Sequence, residues 1–426
     1  MSSTEDAMDK WFGNFPSKRF ADDTCYLIGA WANVSVIKTN EGLVLFDLSN
    51  RIFHRRIFNK IRKFSDKQIR YIIYSHGHFD HCFGYASIFK EIKNKGWEMP
   101  HIIAHENILN RFEKYKELDR YHSWINNQQF SSLWNIPKEG VSAHDTLDPT
   151  IIIHGNKNYE FKLGNYFFEI YHDKGETDDS LWMFFPEKEV LFPGELVSNP
   201  TFPNVGNPFK VQRYPKQWAL AMERMLEKDA KYLAPGHGPL IEGKKNVQEA
   251  LSIRAEVIHF VYDEVVKRLN EGKWFEQIYH EMLDIYPEKF KMHKYLTPSY
   301  GCYRFAIHAV YRLFHGWYIT GNPTDLFPAK SNEIAEEFLA INNEKKYLSH
   351  AEKLYRQGKL QLALHILDII IKGSSSNNKT SLLGAYSLKS RILKQKQAEE
   401  SSFIAKNILR NGIHELESKI EKLKNL

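Results

Sequence analysis

Residues 71–81 read YIIYSHGHFDH, an apolar run followed at once by a group of metal-binding side chains. The run predicts a buried strand, and the Ser and Gly residues after it predict a loop that leads into a helix. Four potential ligands stand within this loop: His76, His78, Asp80 and His81. Imidazole nitrogens and carboxylate oxygens suit zinc, manganese or iron. Packing alone does not explain so dense a cluster, and the stretch therefore predicts a metal site.

Further strands are predicted on both sides of this loop. Short β-rich runs separated by turn residues cover residues 25–29, 33–39 and 43–47, and later runs cover residues 151–154, 166–172, 181–185 and 190–192. A helix is predicted around residues 55–64. Two β-rich halves with helices between them indicate a layered α/β sandwich.

The pattern changes to helical from about Gln248 onward, where apolar residues recur three and four positions apart, and the first long helix is predicted to end at Gly272. Residues 349–373 suggest two helices joined by a turn, followed by a linker at residues 374–378. We predict two domains, residues 1–245 and an all-helical domain of residues 246–426, with tetratricopeptide-like hairpins over residues 332–426. A bundle for packing or dimerisation is favoured over a peptide-binding groove.

Charge and composition exclude several classes of protein. The chain of 426 residues has 58 basic and 52 acidic residues, a net charge of +6 without a concentrated basic stripe, so we predict no nucleic-acid partner. No apolar run reaches the length of a membrane span, and the first residues lack the pattern of a signal peptide. Three widely spaced cysteines predict no disulfide framework. The expected location is the cytoplasm.

The HxHxDH pattern after an apolar strand resembles the signature loop of the metallo-β-lactamase superfamily. The resemblance implies a four-layer αβ/βα sandwich with two metal ions at one edge. It assigns His76 and His78 to the first metal, and Asp80 and His81 to the second. The segment PGHG at residues 235–238 resembles the last ligand segment of the superfamily and adds His237 to the second metal.

Two carboxylates depart from the common pattern of that superfamily. Glu176 stands in GETDDS, where most members have a histidine, and Glu195 stands in FPGE, where most have a bridging aspartate. Glutamate at both positions resembles the alkylsulfatase branch. The resemblance then implies His76, His78 and Glu176 at metal one, Asp80, His81 and His237 at metal two, and Glu195 as the bridge. Asp80 and Glu195 are the expected catalytic carboxylates. Zinc is the expected metal, although these ligands also accept manganese or iron.

The helical half and the loop after Glu195 extend this resemblance. Tyr300-Gly301 and the stretch GWYITGNP at residues 316–323 resemble the alkylsulfatase dimerisation domain, which implies a homodimer. An anionic substrate needs a cation or an amide in the pocket. Arg213 is the first candidate for binding it, and Asn204 is the second.

Two departures concern the substrate pocket. The Leu-Arg-Gly stretch typical of the family is replaced by residues 205–208, and the family's histidine shortly after Tyr-Gly is missing. Phe305 falls near that place, with Arg304 beside it as a candidate substitute. Residues 111–130, which include Tyr121, are expected to form either a lid over the site or an exposed helix.

These residues together predict a dinuclear metal-dependent hydrolase that acts on a sulfate ester or a similar small ester. Two other functions stay open. The same metals serve a lactonase-like or thioesterase-like hydrolase that attacks a carbonyl carbon. In a non-catalytic interaction protein, the metals would only stabilise the fold while the C-terminal helices recruit a partner.

Overall fold

The strands that flank the predicted metal loop form a seven-stranded sheet in a computed structural model that describes residues 17–130, 147–374 and 378–425. The strands lie in chain order: β1 (Lys18–Phe20), β2 (Cys25–Ile28), β3 (Val34–Lys38), β4 (Leu43–Phe46), β5 (Ile69–Ile73), β6 (His101–His105) and β7 (Ile151–Ile153). Pairing is antiparallel from β1 to β4 and parallel from β4 to β7. The carboxyl ends of β4 and β5 therefore meet at one edge, which is where the metal loop begins. The predicted absence of a signal peptide concerns residues that lie outside the described ones.

A second sheet has six strands in the order β13-β12-β11-β10-β9-β8. Their bounds are β8 (Tyr159–Leu163), β9 (Tyr166–His172), β10 (Leu181–Phe185), β11 (Val190–Ser198), β12 (Tyr232–His237) and β13 (Ile241–Glu242). Only β11 and β12 pair in parallel. The strands predicted from both β-rich halves are confirmed, whereas β1, β6, β8, β12 and β13 were not predicted.

Helices connect these strands and follow the last of them as far as residue 314. They are α1 (His54–Phe64), α2 (Phe79–Cys82), α3 (Ala86–Lys95), α4 (Asn107–Glu117), α5 (Asp119–Phe130), α6 (Pro215–Leu226), α7 (Lys244–Asn270), α8 (Phe275–Asp284), α9 (Glu288–Lys291) and α10 (Tyr303–Phe314). Apolar residues three and four apart give α1 one buried stripe of Ile57, Ile61 and Phe64. The predicted end of the long helix is confirmed, because α7 stops just before Gly272, whose φ is +75°.

Side chains alternate across the second sheet and so separate two cores. In β10, Met183 packs with Ile73 and Phe192 between the sheets. Its neighbour Trp182 points to the other face and packs with Trp218 of α6. This period of two is the property of a strand buried on both faces. The predicted four-layer αβ/βα sandwich, followed by an all-helical region, is confirmed.

The described residues divide into two compact units. Residues 17–124 and 147–317 form the first, and residues 125–130 and 318–425, apart from 375–377, form the second. Helices of the second unit are α11 (Ser331–Ile341), α12 (Glu344–Arg356), α13 (Leu360–Gly373), α14 (Lys379–Glu399) and α15 (Phe403–Lys424). They share a core that contains Leu367 and Ile392.

The boundary of the first unit falls later than residue 245 because α7 packs on α6, with Val257 in the same core as Trp218. The predicted division into two sequence domains at residue 245 stays a prediction, as do the tetratricopeptide-like hairpins. Part of the predicted linker, residues 375–377, lies outside the described residues. Among the helices that the structure describes, none has both the length and the apolar character needed to cross a bilayer.

Candidate metal centre

The loop after β5 and a turn between β9 and β10 bring three donor residues together. Ligand atoms of His76, His78 and Glu176 all lie within 4.8 Å of one another. His76 Nε2 is 2.9 Å from His78 Nδ1, which is 3.6 Å from Glu176 Oε2. His76 is fully buried, and the Glu176 side chain is only 7% exposed. The three donors thus form one compact triad.

A second triad consists of Asp80, His81 and His237, again within 4.8 Å of one another. The Nε2 atoms of the two histidines are 3.3 Å apart, and each lies 3.8 Å from Asp80 Oδ2. The rings of His76 and His81 are 4.2 Å apart at their centroids, so the two triads are neighbours. Donors predicted for two separate metal ions are therefore grouped as the sequence suggested, while their role as ligands stays a prediction.

Glu195 lies at the end of β11, where Gly194 has a φ of +55°. A Cβ on Gly194 would lie 2.4 Å from Cβ of Ser75, so only glycine lets β11 approach the metal loop this closely. Glu195 Oε2 is 2.7 Å from His237 Nε2 and 3.6 Å from His81 Nε2, and Ser198 Oγ donates to Oε1 at 3.1 Å. These contacts place Glu195 against the second triad. Its role as a bridge stays a prediction.

Asp47 holds the metal loop from the neighbouring strand. It follows β4 and accepts hydrogen bonds from Ser75 N at 2.7 Å, from Ser75 Oγ at 2.8 Å and from His81 Nδ1 at 2.7 Å. Since Ser75 Oγ donates to Asp47, it accepts from His76 Nδ1 at 3.0 Å. His237 Nδ1 donates to the Trp31 carbonyl. Each of these three imidazoles therefore turns Nε2, the nitrogen without this hydrogen bond, toward the triads.

Asp179 fastens the loop from the opposite side. Its Oδ2 accepts from Gly77 N at 2.8 Å, and its Oδ1 accepts from Arg111 Nε of α4 at 3.1 Å. Burial works against the charge of Asp179, but Arg111 and the hydrogen bonds outweigh it and lower the pKa. A Cβ on Gly77 would come within 2.7 Å of Ile108, so glycine is needed where α4 packs on the loop. Asp47 and Asp179 were both missed in the sequence.

Protonation states agree with cation binding at the first triad. Burial, together with nearby positive groups, holds the pKa values of His76 and His78 well below their ordinary range. Both imidazoles are therefore neutral at pH 7, the state that binds a metal. Burial raises the pKa of Glu176 to about 7, although Arg213 opposes the shift.

In the second triad, burial opposes protonation of His81, but Asp47 and Asp80 outweigh it and raise its pKa well above the usual value. Burial also opposes protonation of His237, but Glu195 outweighs it, so the pKa of His237 is raised as well. Glu195 keeps a pKa well below the usual value, since the two histidines outweigh its burial. The carboxylates beside the Nε2 atoms of His81 and His237 thus favour a positive charge at this place, which a proton or a metal ion can supply. The residues present fit a pair of divalent cations.

Arg213 and Asn204 lie beside Glu176 and are almost fully buried, with exposures of 3% and 2%. Arg213 Nη1 forms an ion pair with Glu176 Oε1 and donates to the Asn204 carbonyl. Asn204 Nδ2 donates to the same Glu176 oxygen at 3.1 Å. Both predicted substrate-binding residues therefore reach the site, where they orient Glu176 so that Oε2 faces His78. Direct contact of either with a substrate stays a prediction.

The other two predicted substrate-binding residues lie farther out. Tyr121 is 52% exposed on α5. Arg304 is exposed on α10 and forms no hydrogen bond or ion pair with any described residue. The loop at residues 205–208 abuts α10, because a Cβ on Gly206 would lie 2.0 Å from the Phe305 carbonyl oxygen. The part of the structure that is described does not bring Arg304 to the two triads.

Lys210 was not selected from the sequence, although it lies on the loop between Asn204 and Arg213. Its backbone N–H donates to the Asn207 carbonyl at 3.3 Å, while its ammonium forms no hydrogen bond or ion pair with a described residue. Burial, and then the charge of Arg213, lower the pKa of Lys210 to about 8, whereas Glu176 and Asp80 oppose the shift. A lysine without a fixed partner therefore lies within the electrostatic reach of both triads.

Two protein families match separate parts of the chain. Residues 32–237 match the metallo-β-lactamase superfamily, and residues 275–419 match the alkyl sulfatase dimerisation family. The first match contains both triads and Glu195. The second begins in α8 and ends in α15, so it covers most of the helical region.

Individual relatives agree with these matches. A linear primary-alkylsulfatase of Pseudomonas sp. (strain ATCC 19151) is 26% identical over 79% of this chain and 66% of its own length. The alkyl/aryl-sulfatase BDS1 of Saccharomyces cerevisiae is 22% identical over 84% of this chain and 57% of its own. The solved structure of the stereoselective inverting sec-alkylsulfatase Pisa1 from Pseudomonas sp. has a TM-score of 0.78, with 19% identity over 92% of this chain and 64% of that one. The chain thus spans less than two thirds of the length of these proteins, and the structural likeness establishes the fold.

Proposed function

Since residues 32–237 match the metallo-β-lactamase superfamily and residues 275–419 match the alkyl sulfatase dimerisation family, we propose that this protein hydrolyses sulfate esters with two divalent metal ions. The observation that carries the proposal is the pair of adjacent donor triads with Glu195 against one of them. Relatives named as alkylsulfatases supply the substrate class. The substrate is a small ester with an anionic sulfate group.

The proposed metal ligands are the seven residues of the centre, with zinc as the metal. His76, His78 and Glu176 would hold the first ion, Asp80, His81 and His237 would hold the second, and Glu195 would be the ligand common to both. Four imidazoles and three carboxylates are a suitable donor set for zinc. Two such ions, when bound, lower the pKa of a shared water and polarise an ester oxygen.

The protein's own carboxylates orient the attacking water in this proposal. Asp80 Oδ2 and Glu195 Oε2 both point to the histidine Nε2 atoms of the second triad, and they are the acceptors for the protons of the water. Ser198 fixes Glu195 through its other oxygen. Glu176 is held in place by Arg213 and Asn204, which are positioning residues here.

Lys210 is the residue that we propose for binding the sulfate group. Arg213 is 3% exposed and forms an ion pair with Glu176, so its role here is to position Glu176, while its contact with a substrate stays a prediction. Lys210 is a partly exposed residue of the same loop, and its ammonium interacts with the charges of Glu176 and Asp80. A flexible point charge of this kind suits a tetrahedral anion.

The test is release of inorganic sulfate from hexyl sulfate by purified, zinc-reconstituted protein, with metal content measured on the same sample. We expect about two zinc ions per chain, and a loss of at least about 100-fold in kcat for Glu195→Gln. Glu189→Gln is the matched control, because Glu189 is a surface carboxylate just before β11 that pairs with Lys244. Equal activity of the two variants would exclude the assigned role of Glu195.

A comparison of esters separates the sulfatase from the alternatives. Lys210→Gln is expected to raise KM for hexyl sulfate by about 10-fold or more, as loss of a hydrogen bond to a charged group predicts, and to leave KM for a neutral lactone unchanged. Turnover of lactones or thioesters without any turnover of sulfate esters would favour the carbonyl-directed hydrolase. Stable metal binding without turnover of any ester would favour the interaction protein.

We also propose a homodimer and a cytoplasmic location. Large apolar side chains are exposed in the second unit, including Phe327 at 86% and Ile341 at 83%, and exposed apolar surface is typical of an interface. All three cysteines are free, as expected in a reducing compartment. Light scattering should give twice the chain mass of 50.1 kDa, and Phe327→Asp should shift the protein toward the monomer. A monomeric wild type would refute the dimer.

A further inference from the structure

Three aromatic side chains, from α5 and from the loop that carries Lys210, form a group that we call the aromatic stack: Tyr121, Trp124 and Phe209. Tyr121 and Trp124 are one turn apart on α5, and their rings lie 5.9 Å apart at an angle of 18°. Phe209 meets Trp124 edge-on at 6.0 Å and 86°. Tyr121 is 52% exposed and Trp124 is 51% exposed. So much aromatic surface in contact with water is costly and typical of a binding site.

The aromatic stack is attached to the metal centre from two directions. On one side, Arg111 of α4 binds Asp179, which holds Gly77 of the metal loop, and α5 follows α4 after a single residue. On the other side, Phe209 precedes Lys210 on the loop between Asn204 and Arg213, both of which contact Glu176.

The contact between Trp124 and Phe209 joins these two sides. On the helical side, the His122 ring, next to Tyr121, lies 4.7 Å from the Tyr115 ring. Burial, and then the charge of Lys210, lower the pKa of His122 to about 4. Lys210, which follows Phe209 directly, is therefore within electrostatic reach of His122 as well as of Glu176 and Asp80.

We propose that the aromatic stack binds the organic group of the ester while Lys210 holds its anionic end, and that planar, arene-bearing alcohols are thereby favoured. The inference rests on the proposed function and adds the specificity of its site. A planar ring can stack on the open face of Trp124 or Tyr121 and gains ring–ring attraction beyond simple burial, whereas a puckered aliphatic ring of similar size gains burial alone. Trp124 and Phe209 are then specificity-determining residues.

The experiment compares 2-phenylethyl sulfate with 2-cyclohexylethyl sulfate on the zinc-loaded enzyme. Both are primary alkyl sulfates, so the bond that breaks is the same, and only the planarity of the ring differs. We expect the wild type to prefer the phenyl ester by about 5- to 10-fold in kcat/KM, mainly through KM. Trp124→Leu keeps apolar volume but removes the flat face, and it should abolish most of this preference. Phe209→Leu should reduce it by a smaller factor.

Phe314→Leu is the control, because Phe314 is an aromatic residue of α10 that is 51% exposed and packs edge-on against Tyr262. It should leave the preference unchanged. A wild type without preference, or a preference that Trp124→Leu does not reduce, would overturn the inference while the sulfatase activity itself stands. Absence of turnover on both esters and on hexyl sulfate would instead remove the proposed function, and the inference with it.

Discussion

Replacement of Asp47 by asparagine should weaken metal binding at the second position more than at the first. The Asp47 carboxylate is 1% exposed and accepts three hydrogen bonds, two from Ser75 and one from His81 Nδ1. Asparagine keeps one acceptor oxygen, which can serve Ser75 N, but its amide nitrogen can only donate. That nitrogen then faces Ser75 Oγ and the N–H of His81. The His81 ring is expected to shift its proton to Nε2, the atom that faces His237.

The magnitude follows from the role of Asp47 as a second-sphere partner. Loss of such a partner typically costs about 10- to 100-fold in metal affinity, which corresponds to about 1.4–2.8 kcal/mol. This loss should fall on the second position, because His81 belongs to that triad. The first position should be weakened less, since Asp47 reaches that triad only through Ser75 Oγ, which accepts from His76 Nδ1. Glu176 and His78 have no contact with Asp47 among the hydrogen bonds and ion pairs of the described residues.

The assay is titration of metal-free protein with zinc in competition with a chromophoric chelator. The wild type should bind two ions tightly, and Asp47→Asn should bind one tightly and one about 10- to 100-fold more weakly. Asp23→Asn is the control, because Asp23 is an exposed aspartate paired with Lys38. Two tight sites in Asp47→Asn, or equal weakening of both, would refute the assignment of His81 to a separate second position.

Three further outcomes are expected. Arg213→Met should lower the free energy of unfolding of the metal-free protein by about 3 kcal/mol in urea titration, because Glu176 remains buried without its counter-charge. An unchanged urea midpoint of unfolding would contradict the ion pair. Trp218→Ala should cost about 3–5 kcal/mol, since this 1% exposed ring packs in the core and donates to the Leu196 carbonyl at 2.8 Å; a smaller loss than 1 kcal/mol would be inconsistent with that burial. Burial lowers the pKa of His122 to about 4 in the folded protein, whereas a histidine of the unfolded chain has a pKa of about 6.5. The unfolded chain is therefore protonated first as the pH falls, and stability is lost between about pH 6.5 and pH 4. His122→Phe should reduce the fall in thermal midpoint between pH 7.5 and pH 5, and an identical fall would exclude this cause.

Local patterns in the sequence were sufficient for the elements that carry the site. The metal loop was found because four donor residues follow an apolar strand without interruption, and the strand β5 indeed ends two residues before Ser75-His76. The end of α7 was found from Gly272, whose left-handed backbone requires a residue without a side chain. Such signals lie within a few residues of the feature that they predict.

Contacts between residues that are distant in the sequence could not be predicted from such local patterns. Asp47 and His81 are 34 residues apart, and Gly77 and Asp179 are 102 apart. The first pair meets because β4 and β5 are parallel neighbours, whereas the sequence indicated only an antiparallel start. Knowledge that these two strands pair would have drawn attention to the aspartate at the end of LVLFD, because residues at the carboxyl ends of adjacent parallel strands converge.

The arginine of the pocket shows a different limit. Arg213 was selected as a cation for the substrate, and the sequence correctly indicated that it approaches the site. Its orientation depends on Glu176, a residue whose buried charge needs compensation within the protein. A guanidinium can pair with a carboxylate of the protein or with a bound anion. The three-dimensional positions of these groups decide between them, and the spacing of residues in the sequence does not give those positions.

The donor residues come from both sheets, and this has a consequence for the amount of protein in a cell. The metal loop follows β5 of the first sheet, whereas Glu195 and His237 belong to β11 and β12 of the second. An unfolded chain holds Glu195 and His237 far from the metal loop, so a metal ion would bind the native state more tightly than the unfolded chain. At a free zinc concentration 100 times the dissociation constant, each ion would add about 2.7 kcal/mol to the native state. Chains made during zinc shortage would open more often and be degraded sooner, so we expect the cellular level of this protein to follow the zinc supply even when its synthesis is constant.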